Sequence, residues 1–338
     1  MWLTSSSIGR KFVMAITGCA LVLFVTFHVL MNAVCLIWPT AYNQVCEFLG
    51  ANWYALVASA GLALLFIIHI CYAVWLTVQN RAARGTDRYA VTSRPPQVEW
   101  SSKNMLVLGI VVLAFLVVHL IQFWAKMQWQ ELRHAELSVL PQLEGVPVAP
   151  AQGTLFIQMA FSQVYTPIIY IIGFVALWFH MNHGFWSMFH TAGWDNNVWI
   201  GRLKKIGCWW TTVVIALFIA EAVVFTVQSH RNFYTEDAAL QQQYGEFWNK
   251  QAEELVSSFD SGLYQAVNAA QENPIMAQKA QADFINENGP AFVETASAIS
   301  KAFEIMCPKA APEQSMMKMQ GYLQQIQRMI PSTSDIVE

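Results

Sequence analysis

Charged side chains are scarce in this sequence. Asp, Glu, Lys and Arg make up 12% of its 338 residues, whereas soluble domains carry about a quarter. Hydrophobic residues make up 55% of the chain. This balance excludes a wholly soluble protein and predicts that a large part of the chain lies in a membrane.

Paired cysteines are also lacking. The six cysteines form no Cys-x-x-Cys pair, which argues against zinc ribbons, iron–sulfur clusters and covalently attached haem. Most are expected to be small buried apolar residues. Cys35 and Cys46 flank the predicted first loop, where a disulfide between them is one alternative. The sequence contains no flavin or nucleotide motif.

Five apolar segments fill the first two thirds of the chain. They cover residues 12–38, 53–79, 104–126, 164–190 and 207–229. Each reaches the roughly 20 residues that a helix needs to cross the hydrocarbon core, and Trp and Tyr residues mark many of their ends. The prediction is an all-α fold: an integral membrane bundle of five transmembrane helices with a C-terminal extramembrane helical extension.

The charge distribution supports a division near residue 230. Residues 1–230 hold 8 acidic and 12 basic residues, whereas residues 231–338 hold 14 acidic and 7 basic residues. We therefore predict a transmembrane domain over 1–230 and an acidic extension over 231–338. Apolar spacing predicts an amphipathic helix over 236–271, and Pro274, Pro290 and Pro312 can each start a further helix. The extension either binds a partner or covers one face of the membrane domain.

Basic residues predict the orientation of the spans. They concentrate at the N-terminus and in the connections after the second and fourth spans (Arg10, Lys11, Arg81, Arg84, Arg88, Arg94, Lys103, Arg202, Lys204 and Lys205). The other two connections together contain only Lys126 and Arg133. The positive-inside rule places the N-terminus in the cytoplasm. Five crossings then place the extension outside.

Four histidines lie inside four successive spans. His28, His69, His119 and His180 occupy the first to the fourth span. Ionisable residues within a bilayer are rare and usually functional. A single one is often only a hydrogen-bonding residue between helices, but four on successive helices indicate a shared function.

The depth of these histidines in the membrane predicts which of them lie close together. Each lies 15 or 16 residues from the start of its span, or roughly 24 Å at the helical rise. Because neighbouring spans run in opposite directions, His28 and His119 share an outer level and His69 and His180 an inner one. The two levels are separated by roughly 10 Å. Facing imidazoles at each level are the axial ligands that a b-type haem needs, so we predict two haems b.

Two other interpretations of the histidines compete. A zinc or copper site would bring its ligands to one point, which two levels do not do. A proton relay in a channel or transporter would also use membrane histidines. His183 lies on the same helix face as His180 and is the alternative ligand at the inner level.

Three sets of motifs resemble one family. They are Ser7-Ile8-Gly9-Arg10-Lys11 with Thr17-Gly18, His28 and Asn32; Phe179-His180 with Gly184, Trp186-Ser187 and Gly193-Trp194; and Arg202, Lys204, Lys205, Ile206 and Gly207. They are similar to the di-haem cytochrome b anchor subunit of succinate:quinone oxidoreductases, the single-polypeptide class with five helices. The resemblance covers residues 1–230.

The resemblance carries functional implications. It implies that His28 and His119 ligate one haem and His69 and His180 the other, because that family pairs helix 1 with helix 3 and helix 2 with helix 4. It also favours His180 over His183, because in that family the histidine four residues before the glycine is the ligand. It implies a flavoprotein subunit and an iron–sulfur subunit on the cytoplasmic face of a bacterial inner membrane. Electrons would pass between succinate or fumarate and a quinone, with menaquinone favoured. Membrane lipid is a further expected partner, and pairing of the whole complex as a dimer is also expected. No nucleic acid is expected.

Two departures limit what can be carried over. Some family members use a glutamate two residues before the fourth ligand for proton movement, and that position is Trp178 here. Short members of the family also lack anything like residues 231–338.

Two acids are candidates for the quinone chemistry. Quinol oxidation releases protons together with electrons, so a protonatable group near the quinone is expected. Glu47, in the predicted loop before the second span, and Glu221, inside the fifth span, are the candidates. A solvated loop acid and a neutral acid bonded between helices are the simpler interpretations of these two residues. The alternative functions are a di-haem anchor of a formate, hydrogen or nitrate enzyme, and a haem-free proton channel or transporter.

Overall fold

The structure, a computed structural model, describes residues 6–84, 100–194, 196, 198–270 and 273–329. Almost all of these residues are helical, which confirms the all-α prediction. The basic residues Arg88 and Arg94 lie outside the described residues. The helices are α1 (Ser7–Ile37), α2 (Pro39–Ala51), α3 (Trp53–Arg84), α4 (Trp100–Lys103), α5 (Met105–His119), α6 (Gln128–Leu132), α7 (Gly153–Phe161), α8 (Tyr165–Thr191), α9 (Trp199–His230), α10 (Phe233–Glu236), α11 (Ala238–Asn268), α12 (Pro274–Met306) and α13 (Gln314–Met329).

Within the described residues, five helices are long and apolar enough to cross a membrane, as predicted. They are α1, α3, α5 with the π-helical turn Leu120–Trp124 that follows it, α8 and α9. α8 packs against α1, α5 and α9, while α3 packs against α1. The outward faces expose large apolar side chains, including Leu23, Leu64, Val107, Ile168 and Val213. Such continuous apolar surface indicates contact with lipid rather than with water, and the chain is a multi-pass membrane protein.

The last span begins earlier than its apolar residues suggest. α9 starts at Trp199 rather than at residue 207. The side chain of Asn196 accepts hydrogen bonds from the backbone N–H groups of Val198 and Trp199, so it satisfies donors at the helix start. Lys204 lies over the ring of Trp186 at 4.2 Å. The basic segment with Arg202, Lys204 and Lys205 is therefore helical and continuous with the span.

The predicted first loop is a helix. Pro39 opens α2 at its first position, where a proline loses no hydrogen bond. Glu47 therefore lies on a helix and not in a loop, which corrects the prediction for this residue. The helix was missed because it is short and carries no strong apolar stripe.

The connection between α5 and α8 is also structured. It contains α6, a 3-10 turn (Leu137–Val139), a two-stranded antiparallel hairpin and α7. In the hairpin, β1 (Gln142–Leu143) pairs with β2 (Val146–Pro147). The two turn residues Glu144 and Gly145 have positive φ angles, as a two-residue hairpin turn requires. α7 is almost wholly buried and packs against α2 and α9.

The extension forms three packed helices. α11, α12 and α13 each contact the other two, and Phe259 of α11 packs on Phe292 of α12 with ring centroids 4.5 Å apart. α12 starts at Pro274 as predicted, and α13 follows Pro312. Pro290 does not start a helix but lies inside α12, which corrects that expectation. Burial of Ile285, Phe292 and Ile299 outweighs the one hydrogen bond that the proline removes.

Buried hydrogen bonds fix the extension to the membrane helices. The Asn43 side chain of α2 accepts from the backbone N–H and hydroxyl of Thr154 and donates to Gln243 of α11. The Tyr244 hydroxyl lies 2.7 Å from the hydroxyl of Thr154. Gln243 also donates to the carbonyl of Thr40. α2, α7 and α11 therefore meet in one satisfied polar cluster.

Replacing Asn43 with leucine should loosen this junction. The change leaves the buried backbone N–H of Thr154 without its acceptor, at about 1–3 kcal/mol, and removes the donor to the partly buried Gln243. We expect a lower unfolding temperature and faster proteolysis between α10 and α11. The control is Asn288→Ala, because Asn288 is exposed and bonds only within α12. Equal melting and proteolysis of the two variants would contradict a structural role for the cluster.

Candidate functional site

The four span histidines meet in two pairs. The rings of His28 on α1 and His119 at the end of α5 have centroids 5.7 Å apart. The rings of His69 on α3 and His180 on α8 have centroids 6.3 Å apart. These are the pairs that the depth argument predicts, and each pair joins two different helices.

The spacing of each pair suits one metal ion between two imidazoles. A bond between a transition metal and an imidazole nitrogen is about 2 Å long, so two imidazoles on opposite sides of one ion have centroids on the order of 6 Å apart. Within the described residues, no three His, Cys, Asp or Glu side chains converge as a bare metal ion would require. Each pair could supply two ligands to one metal ion, and the remaining ligands would have to come from a bound group.

A single large cavity contains all four histidines. Its volume is about 2350 Å³, well above the roughly 300–1,000 Å³ of ordinary ligand pockets. Most of its lining is apolar, from α1, α3, α5 and α8, and Phe218, Ala222 and Phe225 of α9 complete the wall. The size and the apolar lining fit large flat groups that avoid water.

Glycines lie beside one of the two pairs. An ideal Cβ atom at Gly18 would lie 3.7 Å from Cε1 of His69, and one at Gly109 would lie 3.7 Å from Cε1 of His180. A larger side chain at either position would occupy space next to the imidazole. The donor set and the cavity fit a haem between each histidine pair, and the two glycines leave space beside His69 and His180.

A hydroxyl orients His69. Oγ1 of Thr17 donates to the carbonyl of Val13 at 2.9 Å and lies 3.1 Å from Nδ1 of His69. Because the hydroxyl proton is used on the backbone, Thr17 accepts from Nδ1–H of His69. This leaves Nε2 of His69 without a proton and able to bind a metal.

A longer chain of hydrogen bonds reaches His119. Its Nδ1 lies 3.2 Å from the hydroxyl of Tyr170, which donates to Oε1 of Gln122 at 2.9 Å. Gln122 donates in turn to the hydroxyl of Thr166 at 3.0 Å. Since the tyrosine proton goes to Gln122, Tyr170 accepts from Nδ1–H of His119, so that His119 also presents a bare Nε2.

His28 has a different environment. The Asn32 amide lies 3.3 Å from Nε2 of His28, which must accept this hydrogen bond. The hydroxyl of Tyr42 donates to the Asn32 side-chain carbonyl at 3.4 Å. A metal that binds Nε2 would replace the Asn32 contact, and the ring already has its proton on the other nitrogen. The Phe24 ring stacks on His28, with centroids 5.4 Å apart.

The contacts on α8 separate His180 from His183. The His180 ring faces His69, whereas the His183 ring packs edge-on against Trp186, with centroids 4.9 Å apart. Nδ1 of His180 is buried without a hydrogen-bond partner among the described residues. Both rings line the cavity, but the ring geometry favours His180 as the partner of His69.

The two candidate acids lie in different environments. Glu47 is exposed on α2, at a part of the cavity wall shared with Glu131 and Lys250. Glu221 on α9 is only 2% exposed, and its Oε1 has no hydrogen-bond partner within the part of the chain that the structure describes. Both line the cavity. At the position of the family glutamate, the indole of Trp178 donates to Thr212 on α9, so that position offers no acid.

One face of the extension closes the cavity near Glu47. The lining residues of α11 repeat every three or four positions, which places them on one face of the helix: Gln243, Tyr244, Phe247, Lys250, Gln251 and Glu254. The sequence showed an amphipathic helix here but not that part of its polar surface lines the cavity.

The cysteines near this end are reduced. Cys35 and Cys46 carry free thiols, so no disulfide joins them. Burial raises the pKa of Cys46 to about 12, and burial likewise raises the pKa of the neighbouring Tyr42. The Cys46 thiol is therefore protonated at neutral pH, and a protonated thiol is a poor nucleophile and a poor metal ligand.

No protein-family model, curated protein or solved structure matches this chain. The assignment of function therefore depends on the site itself.

Proposed function

We propose that this chain is the di-haem cytochrome b anchor of a succinate:quinone oxidoreductase. The observation that carries the proposal is the presence of two histidine pairs with ring centroids 5.7 and 6.3 Å apart, in one apolar cavity of a five-helix bundle. The choice of family depends on the motifs around His28 and His180, which resemble those of these anchor subunits. His28 and His119 ligate the outer haem, and His69 and His180 the inner one.

The chain's own residues bind, orient and shield the cofactors. Bound haem supplies one-electron transfer. The imidazole Nε2 atoms would hold the iron, and Thr17 and Tyr170 orient two of the rings through Nδ1. The apolar wall excludes water, and α11 covers the wall near Glu47. Haems held by the two histidine pairs would give electrons a path across the bilayer.

A bare-metal site and a haem-free channel account less well for these residues. A pair of imidazoles alone leaves a zinc ion two ligands short of its usual four. A proton channel needs a polar path, whereas the wall around the histidines is mostly apolar. Neither alternative requires two histidine pairs with nearly the same spacing.

The partners and the orientation belong to the same proposal. The end of the bundle that carries Lys11, Lys103 and Lys204 faces the cytoplasm of a bacterial inner membrane and receives the iron–sulfur and flavoprotein subunits. The inner haem lies nearer to these subunits. The quinone, with menaquinone favoured, then reacts at the outer end, where α2 and α11 lie outside the bilayer.

Glu221 and Glu47 are the proposed proton-handling groups for the quinone. The buried carboxyl of Glu221 in the cavity wall ranks first, because a base that accepts a quinol proton must reach the headgroup. Glu47 at the exposed part of the wall would exchange that proton with water. The runner-up function keeps both haems but serves a formate, hydrogen or nitrate enzyme.

A reduced-minus-oxidised spectrum of the purified complex tests the proposal. We expect a haem b band, together with a co-purified flavoprotein that oxidises succinate with an artificial electron acceptor. A haem b band with a formate, hydrogen or nitrate enzyme instead would favour the runner-up. A preparation without haem b, from cells that load a control cytochrome b, would contradict both.

A further inference from the structure

We propose that Tyr170 and Gln122 are positioning residues for the outer haem: through Nδ1 of His119 they set its reduction potential, as Thr17 does for the inner haem through His69. The inference rests on the proposed function, since it concerns how the chain holds its haems. It assigns a role to buried polar residues that bind no cofactor themselves.

The orientation of the Gln122 amide sets the direction of the hydrogen bonds. A tyrosine hydroxyl has one proton, and that of Tyr170 goes to the carbonyl oxygen of Gln122. The Gln122 amide N–H then donates to Thr166. All protons in this chain therefore point away from His119, whose Nδ1–H is the first donor.

The backbone is adapted to this arrangement. The π-helical turn Leu120–Trp124 starts directly after His119, and the N–H of Ala125 bonds the carbonyl of Leu120, five residues earlier. Gln122 lies within the turn and is only 9% exposed, in contact with α8 rather than with lipid. π-helical turns are rare and frequently accompany functional sites. Here the turn gives Gln122 a position from which it bonds both Tyr170 and Thr166.

The two histidine pairs differ in their supporting groups. His69 bonds one hydroxyl, that of Thr17, whose own proton goes to the backbone. His119 bonds the three-residue chain described above. An acceptor on Nδ1–H fixes the tautomer and orientation of a ligating histidine and makes Nε2 more basic. A more basic ligand favours ferric over ferrous iron, so loss of the acceptor should raise the potential of that haem alone.

The test is a redox titration of the two haems in Tyr170→Phe, with each potential assigned from variants that retain a single haem. We expect the outer potential to rise by up to about 60 mV, or up to tenfold in the ferric-to-ferrous preference, while the inner potential is unchanged. Thr17→Val should move only the inner potential. Tyr72→Phe, which alters a tyrosine that packs on Trp75, should move neither.

A second variant keeps the inference testable if Tyr170→Phe does not fold. Gln122→Met keeps the side-chain length and removes the acceptor of the Tyr170 proton, so the outer potential should rise by less than in Tyr170→Phe. If Tyr170→Phe loses both haems, the titration of Gln122→Met decides. Unchanged potentials, or equal movement of both, overturn the inference and leave the di-haem proposal intact. Absence of haem b from the unmodified protein overturns both.

Discussion

Replacing either histidine of a pair with alanine should remove one haem and leave the other. His28→Ala and His119→Ala lose the outer haem, and His69→Ala and His180→Ala lose the inner haem, because one imidazole does not hold a low-spin haem between two helices. The measurement is the haem b content per chain with the low-temperature spectrum of each variant. We expect half of the original content in all four variants.

His183→Ala is the matched control for this series. His183 lies on the same helix as His180 and lines the same cavity, but its ring packs on Trp186. We expect both haems to remain in this variant. If His183→Ala loses a haem while His180→Ala keeps both, the assignment on α8 is wrong. If His28→Ala and His69→Ala remove the same haem, the pairing itself is wrong.

Glu221→Gln should separate quinone chemistry from haem binding. Glutamine keeps the size and hydrogen-bonding capacity of the side chain but cannot take a proton. We expect both haems and succinate oxidation with an artificial acceptor to persist. Quinol-driven fumarate reduction should fall by about 100-fold or more, the usual contribution of a general acid–base group.

Glu47→Gln and Glu304→Gln complete that experiment. Glu47 is exposed at the cavity wall, so its replacement should lower quinol turnover less than that of Glu221. Glu304 lies exposed on α12, and its replacement should change nothing. A normal rate in Glu221→Gln together with a large loss in Glu47→Gln would reverse this ranking.

The spans and the histidine pairs could be predicted because both depend on counting along a helix. Each residue advances a helix by about 1.5 Å, so four apolar segments with a histidine at similar depth already define two levels. The structure brings His28 to His119 and His69 to His180. No knowledge of side-chain packing is needed for that step.

Other features depend on contacts that a sequence pattern does not contain. The Tyr170 and Gln122 side chains meet only because α8 packs on the π-helical turn after α5. Gln122 is the one polar residue in an otherwise apolar turn, and a single glutamine does not mark a π-helical turn in a sequence. A tyrosine, a glutamine and a threonine on two different spans were the available signal, and each alone is common at helix interfaces.

The predictions for Pro290 and for the segment around Glu47 are wrong for a similar reason, since both depend on packing. Pro290 is an ordinary helix-start signal, but tertiary packing on α11 carries α12 through it. The thirteen residues of α2 are too few to show a clear helical period in the sequence. The sequence therefore predicts a loop at Glu47, where the structure has a helix. Burial, which distinguishes Glu221 from Glu47, follows only from the packed structure.

Haem stoichiometry tests the central claim most directly. The purified chain should contain two haems b, quantified as the pyridine complex against the protein concentration. Both should show the electron paramagnetic resonance signals of low-spin ferric iron with two histidine ligands. A ratio of two with such signals is the predicted result. No haem, a single haem per chain, or high-spin signals from both haems in the intact protein would contradict the account.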